Sequence, residues 1–319
     1  SLLKDYFPPD RLGRAIGLYT AGVSSGSGLA YVIGGTIYPG IQAAGPAHWP
    51  LVGEVQPWQQ MFIWVGLPGI VISLLILTIR EPARREYLRT GVATAAAPVW
   101  TTLRFLFTRW RAFIVLFLAL SSLAIMAYGI GFWIPAFLNR TYHLTPEEYG
   151  SLLRWRGLVN IVFGLLGVTL GGWMCDVLQK RHDDGYVRVC IISFFIMAVG
   201  YCSFALMPTP ELAIAMLIPA SIGAAAPTAA GAAAVVAIAP PNMRAQIVAF
   251  YYFTLNVVGF FVGPTSVALV TDYYFRDESQ LRYSLATVAT VVAIGGTLLL
   301  FYNLPHFRRA AAEARQWSA

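Results

Sequence analysis

Asp176 ends the run Gly172-Trp173-Met174-Cys175-Asp176 and stands four and five residues ahead of Lys180 and Arg181. A carboxylate beside a basic pair at a helix end can hold those cations and can also face the positive N-terminus of a neighbouring helix. Such contacts contribute about 0.3–1 kcal/mol near a surface and more when partly buried. They make and break readily, which suits a latch better than a catalyst. Arg154 and Arg156 stand just ahead of an apolar block. An arginine there either snorkels outward to water or, for Arg156, faces inward and attracts an anion. Gly22-Val23-Ser24-Ser25-Gly26 matches a nucleophile-elbow pattern, but that pattern needs a strand turning sharply into a helix, and a base. His48, His143, His182 and His306 all fall in loops or at segment ends. The match is therefore read as chance, with no catalytic residue and no enzyme activity assigned. Cys175, Cys190 and Cys202 form an odd set without metal-ligand spacing. They read as buried free thiols, and no metal or cofactor is expected.

The elements that must position these residues follow from composition. Of the 319 residues 57% are hydrophobic and 12% are charged. The apolar residues come in blocks of about 20 or more, the length that crosses a ~30 Å hydrocarbon layer as a helix. The fold class is thus all-α, a polytopic membrane protein whose first partner is the lipid bilayer. Charged, Pro and Gly clusters divide it into eight transmembrane helices near Ala15 to Tyr38, Met61 to Ile79, Phe113 to Leu138, Leu158 to Val177, Val189 to Met207, Leu212 to Ala239, Ile247 to Val270 and Leu285 to Leu304. The net charge of +7 does not signal nucleic acid, because the basic residues lie between apolar blocks and form no interleaved basic and aromatic patch.

Topology accounts for that charge. Loops on one side hold 17 of the 22 Lys and Arg, while the other side and its nearby helix starts hold only Arg140, Arg154, Arg156, Arg276 and Arg282. The loop from Pro39 to Pro57 has none. Basic loops stay in the cytoplasm, so both termini are expected there, in a cell (inner) membrane. No cleavable signal peptide is visible and Ser1 is not an initiator Met, from which a missing upstream segment is expected.

Residues 81–110, rich in Arg, Ala, Thr and Pro, read as a cytoplasmic linker between two bundles, 1–80 and 111–319. Pro8-Pro9-Asp10 with Arg14-Ala15 recurs as Pro240-Pro241-Asn242 with Arg244-Ala245, and each copy leads into a glycine-bearing span. The first and seventh spans are thereby related across six helices, the period of parallel six-helix repeats. On that period 111–319 is a complete six-helix bundle, while 1–80 is two spans of a bundle lacking its first four helices. The chain as written is then expected to hold one complete and one incomplete bundle.

The residues carry a family resemblance as well. Asp5-Tyr6-Phe7-Pro8-Pro9 with Arg11, Gly13 and Arg14, and Gly172 to Asp176 with Lys180 and Arg181, resemble the helix connection and the second-half cytoplasmic gate motif of the major facilitator superfamily. Gly66-Leu67-Pro68-Gly69, Trp133-Ile134-Pro135-Ala136-Phe137, and Asn256 to Gly259 with Gly263-Pro264 resemble its bacterial spinster-like branch. The resemblance implies a secondary active transporter that alternates access to a central cavity. Its solute would be a small organic or amphiphilic molecule, anionic or lysolipid-like, with a proton as candidate coupling ion. A related organic anion/proton symporter stays open, as does, in a different class, a pore-forming or receptor-like membrane protein. Asp176 would hold the gate shut against the start of the seventh span near Arg244. Cavity-lining candidates are Ser24, Ser27, Tyr31, Tyr128, Trp133, Arg156, Asn160, Thr228, Tyr251 and Asn256. No Asp or Glu lies mid-span, so a proton-binding carboxylate would belong to the absent helices.

Overall fold

The computed structural model describes residues 9–50, 53–78 and 97–315, apart from the side chains of residues 9–21, 23 and 24. The Asp5–Pro8 motif and residues 81–96 of the expected linker lie outside the described residues. Two compact units emerge: residues 1–93 with 144–161, and residues 94–143 with 162–319.

In the first unit, helix α1 (Pro9–Ala44) ends on Gly45, whose φ of +69° turns the chain. A short antiparallel hairpin follows, β1 (Ala47–Trp49) on β2 (Gly53–Val55). The sequence reads this stretch, within Pro39 to Pro57, as a loop. Gln60 anchors it from helix α2 (Pro57–Ile76): its buried amide donates to Gly45 O at 2.9 Å and to Val55 O at 3.1 Å. Beyond Gln60 the helix shows an apolar exterior, with Phe62, Leu67, Ile70 and Leu74 exposed. Such a surface calls for an apolar cover, lipid or another helix.

The second unit is a helical bundle. A short surface helix, α3 (Val99–Thr108), occupies the last third of the expected linker. Next come α4 (Ile114–Tyr142), α5 (Pro146–Arg181), whose first turns belong to the other unit, α6 (Gly185–Ser203), α7 (Pro210–Ala237), α8 (Arg244–Phe275) and α9 (Leu281–Arg315). Helix α5 opens on a reciprocal cap, with Thr145 N donating to Glu148 Oε2 at 2.9 Å and Glu148 N to Thr145 Oγ1 at 3.3 Å. Among the described residues seven helices are long and apolar enough to span a membrane. Helix α1 matches them in length but is not one of the seven, its apolar run being diluted by Gly22 and by Ser24 through Gly28.

Small residues set the packing, as in other membrane bundles. Helices α6 and α7 approach so closely that a Cβ at Gly200 would lie 2.5 Å from Ala220 N, and one at Gly167 on α5 would lie 2.6 Å from Ile222 O. Phe113, Phe137, Phe194, Phe204 and Phe307 are fully buried within the unit. Helix α4 contains a π-helical turn at Ile125–Ile130, and α8 contains two, at Val258–Val262 and Val270–Phe275. Where the first two meet, a Cβ at Gly129 would lie 2.7 Å from Gly263 Cα.

The loops of this unit separate to two rims. At one, Arg308 pairs with Asp184 at 2.7 Å, Arg315 with Asp183 and Arg109 with Glu313. At the other, Tyr142 Oη and Arg282 Nη2 donate to Met207 O, and Arg140 pairs with Glu278 at 3.1 Å. The first rim carries the Lys- and Arg-rich loops, so the alternation read from charge is matched by the arrangement of the bundle.

Candidate functional site

Four of the ten cavity candidates meet in one place. In the first unit α1 and the first turns of α5 run antiparallel, with partners whose numbers rise on one helix as they fall on the other. Asn160 Nδ2 donates to Ser27 Oγ at 2.8 Å. The Arg156 guanidinium lies 4.1 Å from the centroid of the Tyr31 ring, and Arg154 Nη1 donates to Gly35 O at 3.2 Å. Tyr38 meets Tyr149 edge to face at 5.0 Å. Two glycine pairs make this approach possible. A Cβ at Gly28 would lie 2.6 Å from Gly157 O, and a Cβ at Gly150 would lie 2.5 Å from Gly35 O.

The chemistry follows from that closeness. A guanidinium is costly to bring into a membrane helix unless a face or an acceptor receives it. The π face of Tyr31 attracts the cation and holds it within the helix pair. Ser27 and Asn160 add hydroxyl and amide groups one turn away.

The remaining candidates disperse. In the second unit Tyr128 stacks on Phe260 with centroids 4.0 Å apart, and Trp133 Nε1 donates to Pro264 O at 3.0 Å, so both bind α4 to α8. Tyr251 is buried against Phe117 at 5.7 Å and fills the bundle interior. Asn256 and Thr228 are exposed and satisfied locally, donating to Tyr252 O and Ala225 O at 2.8 Å. The side chain of Ser24 lies outside the described residues.

Asp176, Lys180, Arg181 and Arg244 are all exposed, and Asp176 has no ion-pair partner among the described residues. A Cβ at Gly172 would meet nothing within 4 Å. The buried carboxylate among those held at this rim is Asp184, 2% exposed, which accepts from Arg188 Nε at 2.8 Å and from Arg308 Nε at 2.7 Å. Burial alone would raise its pKa, but the two arginines outweigh burial and hold it below the usual carboxylate value. Asp184 is not among the residues that the sequence singles out. Its four-residue spacing to Arg188 was the available signal.

The pattern of the Major Facilitator Superfamily matches residues 1–182 and again 147–319. The chain belongs to that superfamily. Within it, the chain is 25% identical over 324 residues to "Protein spinster homolog 1" of Mus musculus, covering 94% of this chain and 58% of that protein. It is 22% identical over 341 residues to a sphingosine-1-phosphate transporter of Danio rerio, covering 99% of this chain and 64% of that one. It therefore spans less than two thirds of the length of these relatives. A crystal structure of a bacterial homologue of the human lysosomal transporter spinster, inward-facing and unoccupied, aligns with TM-score 0.65 and 20% identity over 99% of this chain and 74% of that one. The fold is thus that of a spinster-like major facilitator.

Proposed function

We propose that the protein is a secondary active transporter that moves a small anionic or amphiphilic solute by alternating access. In this reading 111–319 is its six-helix C-terminal bundle, 1–80 contributes two spans of the other bundle, and 81–110 links them across the cytoplasmic face. It sits in a cell (inner) membrane with both termini cytoplasmic. The observation that carries the reading is Arg156, a membrane-helix cation seated on the Tyr31 ring beside Ser27 and Asn160. A guanidinium inside a membrane-helix pair, beside hydroxyl and amide groups, attracts a phosphate or carboxylate head group. Support for an amphiphile comes from the zebrafish relative named for sphingosine-1-phosphate. Asp176 would engage the start of α8 near Arg244 as the latch of the gate, and its exposure leaves it available to do so.

The deciding experiment is counterflow in proteoliposomes, with labelled lysophosphatidic acid or a sphingoid phosphate against lysophosphatidylcholine. Saturable exchange of the anionic amphiphile, reduced about tenfold or more by Arg156→Gln, is the expected result. Single-channel currents without counterflow would replace the carrier by a pore. Exchange unchanged in Asp176→Ala at normal abundance would remove the latch assignment, and acceleration by an imposed pH gradient would identify the coupling ion as a proton.

A further inference from the structure

At the basic rim, where α9 passes the start of α4, a cavity of about 350 Å³ opens between Arg109, Trp110, Arg111, His306, Arg309 and Glu313. Its two buried lining residues are the small Ala112 and Ala310, which leave the space unfilled. Three guanidinium groups face it against one carboxylate, and that carboxylate, Glu313, is engaged by Arg109. Arg111 and Arg309 have no carboxylate partner among the described residues. Arg111 instead lies over the Trp110 ring at 5.4 Å, an arrangement that orients its planar fork while preserving its charge.

The surroundings say what kind of anion reaches this place. Helix α3 leads directly into Arg109. It buries Thr102 and Leu106 against the bundle and exposes Trp100 and Phe107, and Trp110 follows them, 46% exposed. Exposed aromatics beside arginines at a bundle rim mark the headgroup level of a bilayer, where the ring is apolar on one side and wet on the other. Basic pockets at that level, between membrane helices, hold lipid phosphates. Guanidinium forks match phosphate oxygens in pairs, and a 350 Å³ space admits one such group together with its water.

We propose that this cavity binds a phosphate-bearing anion, presented to it as the headgroup of an anionic phospholipid in the leaflet facing the basic rim. The site is separate from the Arg156 cluster, and its ligand is a resident lipid, not a transported solute, so the inference stands whether or not transport is demonstrated.

The test uses the purified, delipidated chain in nanodiscs of phosphatidylcholine, with or without phosphatidylglycerol, and reads arginine modification by phenylglyoxal peptide by peptide. Labelling of Arg111 and Arg309 is expected to slow at least fivefold with phosphatidylglycerol, while labelling of the exposed Arg276 on the opposite rim changes less than twofold. Equal protection by millimolar inorganic phosphate in phosphatidylcholine discs would keep the anion site and assign it to a soluble ligand. No protection by either would overturn the proposal. A second readout is phosphatidylglycerol retained in native mass spectrometry, expected to fall at least tenfold in the Arg111→Gln/Arg309→Gln double variant. Retention within twofold of the unaltered chain, in a folded variant, would also overturn it. Should the variant not fold, the labelling of the unaltered chain decides.

Discussion

Gly28 and Gly157 stand face to face across α1 and α5, with no room for a methyl group on either: a Cβ at Gly28 would lie 2.6 Å from Gly157 O. Seven residues away on each helix, Gly35 and Gly150 repeat the arrangement. By contrast, a Cβ at Gly22 or Gly26 on the same α1 would meet nothing within 4 Å. Two classes of glycine therefore share one helix. Gly28→Ala and Gly35→Ala are expected to destabilise the chain by about 1–3 kcal/mol through overpacking. Gly26→Ala is expected to be neutral or stabilising by up to about 1 kcal/mol, because alanine is the better helix former. Thermal unfolding in detergent compares the three, and equal losses at Gly26 and Gly28 would contradict the assignment.

Asp184 offers a pH signature. Its folded pKa lies below the ordinary 3.8, so the stability it contributes is fully present well above that value and is lost as pH falls through the lowered folded one. Its partners Arg188 and Arg308 are 35% and 50% exposed, and solvent screening tempers the pair. Asp184→Asn is expected to cost about 1–2 kcal/mol at pH 7. That difference should shrink between pH 5 and pH 3, read as converging melting temperatures. A gap that widens with acidity would show that Asp184 acts otherwise.

Much of this was legible in the sequence. Most ends of the apolar blocks fall within about six residues of the helix ends, because hydrocarbon demands long unbroken apolar stretches, whereas α9 runs on from the expected Leu304 to Arg315. The charge of the loops foretold which of them share a rim. Other features escaped for identifiable reasons. The fourth apolar block begins at Leu158, but Thr145-Pro146-Glu147-Glu148 already carries the cap, first-turn Pro and capping-box Glu of a helix start, and the helix does begin at Pro146. What the pattern does not give is where Arg154 and Arg156 go, which is to Gly35 O and the Tyr31 ring. Nor does it mark Gly150 and Gly157 as the glycines that face α1. Asp184 carried no local mark of burial, because its second arginine is 124 residues away. The candidate site was legible as residue types, but only the antiparallel register of α1 and α5 gathered Ser27, Tyr31, Arg156 and Asn160.

Gln246 holds the surface helix α3 in place. Its Nε2 donates to Ala97 O at 2.6 Å, and its Oε1 accepts from Thr102 Oγ1 at 2.5 Å. Gln246→Leu removes both bonds and leaves Thr102 buried without its acceptor, a loss of about 1–3 kcal/mol concentrated on this element. Hydrogen exchange across residues 97–108 should accelerate about five- to 150-fold, with little change in α6 or α7. A uniform acceleration would mean that the bond serves the whole bundle.

Tyr31 is expected to act through its ring and not its hydroxyl. Tyr31→Phe should leave anionic solute affinity within about twofold, while Tyr31→Leu should weaken it several-fold, in keeping with about 0.5–2 kcal/mol for a cation on an aromatic face. Concentration dependence of counterflow separates the two. Equal weakening by both variants would transfer the role to the hydroxyl.

The π-helical turns bear on how this chain should be lined up with its kin. A π turn holds one residue more than the α-helix around it needs, and one residue is about 100° of rotation. Beyond Ile125–Ile130 in α4, every side chain from Gly131 to Tyr142, Trp133 included, is displaced by that angle from where an uninterrupted helix would put it. Past Val258–Val262 the same holds for Pro264, the acceptor of the Trp133 bond. A gap-free alignment to a relative whose helices lack these turns would pair residues that point about 100° apart around the helix. A single-residue gap inside an otherwise continuous span is, for this chain, the structurally faithful choice.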